Sequence, residues 1–186
     1  MTRFLPALVA LLFAGAAVAG DAPLTEDQAS RFVDTLPTLD KLGEELEAEG
    51  KFEEFKIDNQ PKAGEPFAPY SDAVANLKKN HPADHARLVN AVRPHGFSAD
   101  EWGAVGDRVI IAYLALEMEE DDPRSMQMMD GMDQSMMEMM PPEMRAQLES
   151  VFAMMETVKN APEADKKVVA GMKDRLDAHM EPPASP

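Results

Sequence analysis

One long stretch, Ser98 to Glu120, constrains the fold more than any other part of this chain. Ser98 and Glu101 have the spacing of a capping box, so a helix is predicted to begin there. In the eight residues from Val109 onwards, every side chain is apolar apart from one tyrosine hydroxyl. A helix that is apolar on all sides is usually surrounded by other helices, so we predict that this helix is central. The apolar run is too short to span a membrane.

The rest of the chain also has helical periodicity. Thr25 and Gln28 form a second capping-box pattern, and Pro37 is predicted to kink or divide the helix that follows. Ser71 is predicted to cap a short helix, and Pro82 suits the first turn of another. No segment has the alternation of a strand. The sequence therefore predicts an all-α protein, a single helical bundle of about six helices around the central helix at 98–120.

The two ends of the chain are predicted to lie outside the fold. Residues 1–19 have a positive start, an apolar run and the small-residue pattern Ala17-Val18-Ala19, which is typical of a cleaved signal peptide. We expect a mature helical domain at 20–180 and a disordered tail at 181–186. The expected location is the periplasm or the extracellular medium. The chain contains no Cys, so its stability depends on packing without disulfides.

The charge of the chain restricts its partners. The formal net charge is −16, and loss of Arg3 with the signal peptide makes it −17. Such a charge argues against binding to nucleic acid and to anionic lipid surfaces. No membrane span is expected after signal removal, and the sequence leaves the oligomeric state open. The expected partner is an apolar peptide, protein or small ligand that the sequence does not identify.

A block in the centre of the chain resembles a known group of proteins. It consists of Gly96-Phe97-Ser98, Glu101-Trp102, Val105-Gly106-Asp107-Arg108 and Tyr113. This block, which covers about the central third of the chain, is similar to one found in small uncharacterised exported helical proteins of Gram-negative bacteria. The resemblance implies a periplasmic location and carries no known activity.

The sequence contains no Gly-rich phosphate loop, nucleophile elbow or metalloprotease helix, and without Cys it has no thiol nucleophile. Two pairs of polar residues remain as candidates for a site. His81 and His85 are four residues apart, which on a helix would place both on one face as metal ligands. Pro82 disfavours helical geometry at His81, so we do not predict a site there. Asp107 and Arg108 interrupt the apolar central helix, and a structural ion pair or a hydrogen-bonded cap is expected rather than catalysis.

The most unusual segment is Met126 to Met140, in which all eight apolar side chains are methionine. At about 100° per residue, all eight fall within one half of a helix circumference. The segment is therefore a candidate amphipathic helix. A first interpretation is that it packs on the core, with Met in place of Leu. Leu, Ile and Val are stiffer than Met and would make such packing more specific, but the apolar face of this segment contains none of them.

A second interpretation is that the methionines form a binding surface. Flexible thioether side chains adapt to varied apolar partners. The side chains expected to contact a partner are Met128, Met129, Met132, Met136, Met139 and Met140. On this interpretation the protein is an exported, non-enzymatic binding protein without a cofactor.

A third interpretation is binding of a soft metal ion. Thioethers favour Cu(I) and Ag(I) over Zn(II) or Mg(II). The spacing of the candidate ligands Met129, Met132, Met136 and Met140 would let neighbouring pairs share an ion. The segment resembles the methionine-rich stretches of exported copper-handling proteins, although it lacks the His residues that many of them contain.

Overall fold

The computed structural model describes residues 23–51, 66–120 and 141–180, and every regular element within them is a helix. The helices are α1 (Glu26–Ala48), α2 (Pro69–Asn80), α3 (Pro82–Val92), α4 (Ala99–Glu120), α5 (Pro142–Lys159), α6 (Glu163–Ala170) and α7 (Lys173–Met180), with a 3₁₀ turn at Arg93–His95. The prediction of an all-α fold with about six helices is confirmed.

Helix α4 lies at the centre of the described residues. It packs against α1, α2, α3, α5 and α6. Val109, Ile110, Ala112 and Tyr113 are buried on it, as expected for a helix with an apolar run. No helix in the described part of the chain combines the length and apolar character needed to cross a membrane.

Three aromatic rings join α1, α2 and α4 at one point. The ring centroids of Phe32, Tyr70 and Trp102 lie 5.3–5.6 Å apart, with two edge-to-face pairs and one stacked pair. The indole N–H of Trp102 donates to the hydroxyl of the fully buried Thr35 over 3.0 Å. Burying these rings removes a large apolar area from water, and the hydrogen bond satisfies the one polar group of the indole.

Gly106 of α4 is what allows this close approach. A Cβ atom at this position would lie 2.7 Å from the Cγ of Tyr70 and 2.8 Å from the Cε2 of Phe32. Both distances are shorter than real Cβ contacts, so the two rings pack directly on the backbone of α4.

The helix ends agree with most of the sequence predictions. Thr25 and Gln28 form the expected capping box at the start of α1, and the hydroxyl of Ser98 accepts from the N–H of Glu101 at the start of α4. Pro37 does not divide α1, which continues through it. Gly96 takes the left-handed conformation (φ 79°) and ends the 3₁₀ turn.

The prediction that Ser71 caps α2 is wrong. The helix begins earlier, at Pro69, and Ser71 lies within its first turn. Proline suits this first position because it has no N–H to satisfy. The predicted signal peptide (residues 1–19) and tail (residues 181–186) lie outside the described residues.

Two glycine substitutions should have opposite effects on stability. Gly106→Ala should lower the free energy of unfolding by about 1–3 kcal/mol or more, because the new methyl group collides with two rings. Gly43→Ala should raise it by about 0.5–1 kcal/mol, since a Cβ there has nothing within 4 Å and alanine favours the helix. Urea denaturation of both variants measures the difference. Equal effects would contradict the packing described at Gly106.

Candidate functional site

The methionines predicted to bind a partner or a metal lie outside the described residues. They are Met128, Met129, Met132, Met136, Met139 and Met140. The chain leaves the described part at the end of α4 and re-enters it at the start of α5. The described residues that adjoin this segment in sequence are therefore the end of α4 and the start of α5.

One face of α5 packs on the core. Val158 is buried with Ala115 and Ala161 in a small cluster, and Met154 packs against the same cluster. Ser150 is buried as well, and its hydroxyl donates to the carbonyl of Ala146 over 2.8 Å. At about 100° per residue, residues 150, 154 and 158 fall within about 80° of the helix surface, which is the face that packs toward α4.

A second face of α5 is apolar but remains partly exposed. It consists of Met144, Leu148, Phe152 and Met155, called here the α5 strip, which fall within about 80° of one another on the helix. The side chain of Met144 is 55% exposed, and the other three are only partly buried. Met154 packs against the main core and against the small cluster. In the described part of the chain, no side chain of the strip packs against either of them.

The strip is part of a wider apolar arc on α5. Leu148, Val151, Phe152, Met155 and Val158 have the spacing of an amphipathic helix, and of these five only Val158 is buried. The reason is that the apolar arc is wider than the contact with α4, so only one edge of it reaches the core. A wide apolar arc preceded by a methionine-rich segment could have indicated this from the sequence.

Asp107 shows what the polar positions on α4 do. Its Oδ1 accepts hydrogen bonds from the backbone N–H groups of Tyr70 over 2.7 Å and of Ser71 over 3.3 Å. These N–H groups belong to the first turn of α2 and have no partner within their own helix. Asp107 therefore caps α2 from a neighbouring helix, which is the role that the sequence suggested for Ser71.

Burial affects the ionisation of Asp107. Desolvation raises the pKa of this carboxyl, although the hydrogen bonds from Ser71 and Tyr70 oppose the shift. The pKa of the buried Tyr70 hydroxyl is raised to about 12, mainly by desolvation and then by the nearby charge of Asp107. This tyrosine therefore stays neutral at physiological pH.

Arg108 does not pair with Asp107 but with Asp165 of α6. The contact is bidentate, with Nε to Oδ2 at 2.8 Å and Nη2 to Oδ1 at 2.7 Å. Asp165 is 1% exposed and also accepts from the backbone N–H of Leu24 over 3.0 Å. This ion pair holds the start of the described chain against α4 and α6, so its role is structural. The two neighbours therefore have separate structural roles: Asp107 caps α2, and Arg108 forms an ion pair with Asp165.

A third polar cluster joins α4 to α7. The hydroxyl of Tyr113 donates to Asp177 over 2.9 Å, and Lys173 contacts both Glu117 and Asp177. Desolvation, followed by the bond to Asp177, raises the pKa of Tyr113 to about 12. The hydrogen bond to Glu117 raises the pKa of Lys173. Both shifts move the pKa further above pH 7, whereas acid–base catalysis requires a pKa near the working pH.

The histidine pair does not assemble a metal site from the described residues. His81 lies at the junction between α2 and α3, and its carbonyl accepts from the N–H of His85 over 2.9 Å. Within the described ranges, no group of three or more His, Asp or Glu side chains is close enough to hold a metal ion.

Comparison with known proteins adds no assignment. No protein-family model matches the chain, and neither a curated protein nor a solved structure is significantly similar to it. The functional argument therefore depends on the chain's own residues.

The cap on α2 gives a pH-dependent prediction. Because the pKa of Asp107 is raised, the folded chain binds more protons than the unfolded chain from the ordinary value of 3.8 up to the raised pKa. The carboxyl's stabilising contribution is thus fully present below 3.8 and lost as the pH rises through the raised pKa. Asp107→Asn, which keeps an acceptor oxygen but cannot ionise, should lack this loss.

Asp107→Ala serves as the second variant in this test. It removes the acceptor and should cost about 1–3 kcal/mol, because the buried N–H of Tyr70 and the partly buried N–H of Ser71 lose their partner. Urea denaturation of the parent and both variants between about pH 4 and pH 7 measures these effects. Parallel pH dependences for the parent and Asp107→Asn would show that the carboxyl is not responsible.

Proposed function

We propose that this chain is an exported helical protein that binds apolar partners without catalysing a reaction. Its binding surface is formed by the methionine-rich segment Met126 to Met140 together with the adjoining α5 strip. The observation that supports this proposal most is the strip itself. Elsewhere in the described residues every Leu, Ile, Met, Phe, Tyr and Trp side chain is buried or packs on the core, whereas the strip follows the methionine-rich segment in sequence and is left partly exposed.

The chemistry of the two parts agrees. Two of the four strip residues are methionine, and the segment before α5 carries eight more. Methionine has three rotatable bonds and a polarizable sulfur, so a surface rich in it can repack around partners of different shape. A contiguous apolar surface that stays partly exposed is typical of an interaction site.

The polar clusters support a non-enzymatic role. The carboxylate of Asp107 is occupied by two backbone N–H groups, and that of Asp165 is occupied by an arginine and a third N–H group. Each of these groups stabilises a contact between helices. The recognisable residues of the central block thus maintain the bundle that carries the binding surface.

Replacing methionine by leucine tests the proposal. The variant with Met128, Met132, Met136 and Met139 changed to Leu keeps apolar volume at a cost below about 1.5 kcal/mol but loses flexibility. We expect weaker binding to a panel of uncharged apolar fluorescent probes, measured by titration. The control is Met172→Leu with Met180→Leu, since both of these residues pack on the core.

The control variant should bind the probes as the parent does. Unchanged probe binding by the fourfold variant, together with higher stability, would support the alternative that the segment is part of the core.

A second candidate is soft-metal binding, with Met129, Met132, Met136 and Met140 as ligands of Cu(I) or Ag(I). The described residues add one observation in its favour. Met118 and Met154 pack against the same small cluster at the end of α4, and Met144 is exposed at the start of α5. Further thioethers, those of Met118 and Met144, therefore lie on the two helices that adjoin the methionine-rich segment in sequence.

Metal binding through thioethers is expected to depend little on pH. A thioether has no proton to lose, so Cu(I) affinity should be nearly constant between about pH 5 and 8. Ag(I) should compete, and Zn(II) and Mg(II) should not. Competition against a Cu(I) chelator measures the affinity of the parent and of the variant with Met136→Leu and Met140→Leu. Copper is excluded if the parent binds no more tightly than this variant.

A further inference from the structure

The α5 strip has the length and spacing of a helix-binding surface. Its residues occur at positions i, i+4, i+8 and i+11, and together they extend over about 16 Å, or three helical turns. A partner helix that presents apolar side chains at the same spacing can place them along such a strip. The shape of the surface therefore favours an amphipathic helix over a compact small ligand.

Charged residues beside the strip restrict the sign of the partner's charge. Glu149 and Glu156 are exposed on α5, at positions i−3 and i+4 relative to Phe152. Side chains at these spacings are direct neighbours on a helix surface. Two basic residues also neighbour the strip, Arg145 at i−3 from Leu148 and Lys159 at i+4 from Met155, and both already have an interaction within the chain.

The distribution of charge along the sequence points the same way. Residues 117–143 contain nine acidic residues and one basic residue, a net charge of −8, which is half of the formal −16 of the chain. The same residues contain all eight clustered methionines. Acidic residues and methionines are thus concentrated in the part of the sequence between the last turn of α4 and the start of α5.

We infer that the α5 strip receives a basic amphipathic helix, with apolar side chains on the strip and Lys or Arg beside Glu149 and Glu156. This inference rests on the proposed function and specifies the class of partner. Uncharged apolar ligands would satisfy the proposed function but would not use the acidic residues.

Fluorescence anisotropy with designed peptides tests the inference on the mature full-length chain. One labelled 18-residue peptide carries Leu on one helical face and Lys on the other. A second carries Glu in place of Lys, and a third has the composition of the first in an order that breaks the helical spacing. At about 0.15 M salt, we expect the Leu/Lys peptide to bind at least about tenfold more tightly than either of the others.

Three variants locate the contact. Leu148→Ala with Phe152→Ala should weaken binding of the Leu/Lys peptide by about tenfold or more. Glu149→Gln with Glu156→Gln, a surface change that leaves the apolar packing intact, should weaken it about threefold. Glu44→Gln with Glu47→Gln removes the same charge from exposed positions on α1 and should leave binding unchanged.

Several results would overturn the inference. These are equal binding of the Leu/Glu peptide or the rearranged peptide, undiminished binding by the Leu148/Phe152 variant, and equal effects of the two glutamine pairs. If the uncharged probes still bind in that case, the proposed function stands and only the class of partner is wrong. If neither probes nor peptides bind, the proposed function fails as well.

Two further measurements would identify a different occupant of the strip. Tighter peptide binding after replacement of residues 126–140 by a Gly/Ser linker of equal length would identify that segment as the occupant. Dimerisation that the Leu148/Phe152 variant abolishes, measured by sedimentation, would identify a second copy of the chain. Either result would overturn the inference.

Discussion

The described fold depends on the direct contact of two aromatic rings with the backbone of α4 at Gly106. Phe32 of α1 and Tyr70 of α2 occupy the space that any other side chain at this position would fill. Since the chain has no Cys, no disulfide compensates for a loss of this packing. Trp102, one turn earlier on α4, completes the contact by stacking on Phe32 and bonding to Thr35. The close approach of α1 and α2 to α4 therefore depends on the absence of a Cβ at Gly106.

The two charged residues after this glycine orient the other neighbours of α4. Asp107 binds the N-terminus of α2, and Arg108 binds Asp165 of α6, which in turn binds the backbone of Leu24. Burial of Asp107 opposes its charged form, as the raised pKa of this carboxyl shows. Hydrogen bonds are directional, so these contacts are satisfied only when α2 and α6 take their observed positions along α4. Three consecutive residues, 106–108, thus position the bundle.

Local patterns predicted much of this fold, and long-range contacts explain what they missed. The capping box at Thr25 and the apolar run of α4 depend on neighbouring residues and were recognised from the sequence. The cap on α2 comes from Asp107, 36 residues after Ser71, so no local pattern could separate it from a Ser71 cap. The partial burial of α5 could not be predicted, because periodicity defines the width of an apolar face and not how much of it a neighbouring helix covers. The predicted methionine site lies outside the described residues and stays a prediction.

We propose that the helical bundle carries an adaptable apolar surface at one place, and methionine methyl groups can report on this surface directly. In a chain labelled with ¹³C at the methionine methyl carbons, a basic amphipathic peptide should shift the resonances of Met144, Met155 and the methionines of residues 126–140. Met172 and Met180, which pack on the core, should not move. Shifts confined to Met172 and Met180, or no shifts at any methionine at a saturating peptide concentration, would contradict the proposed binding surface.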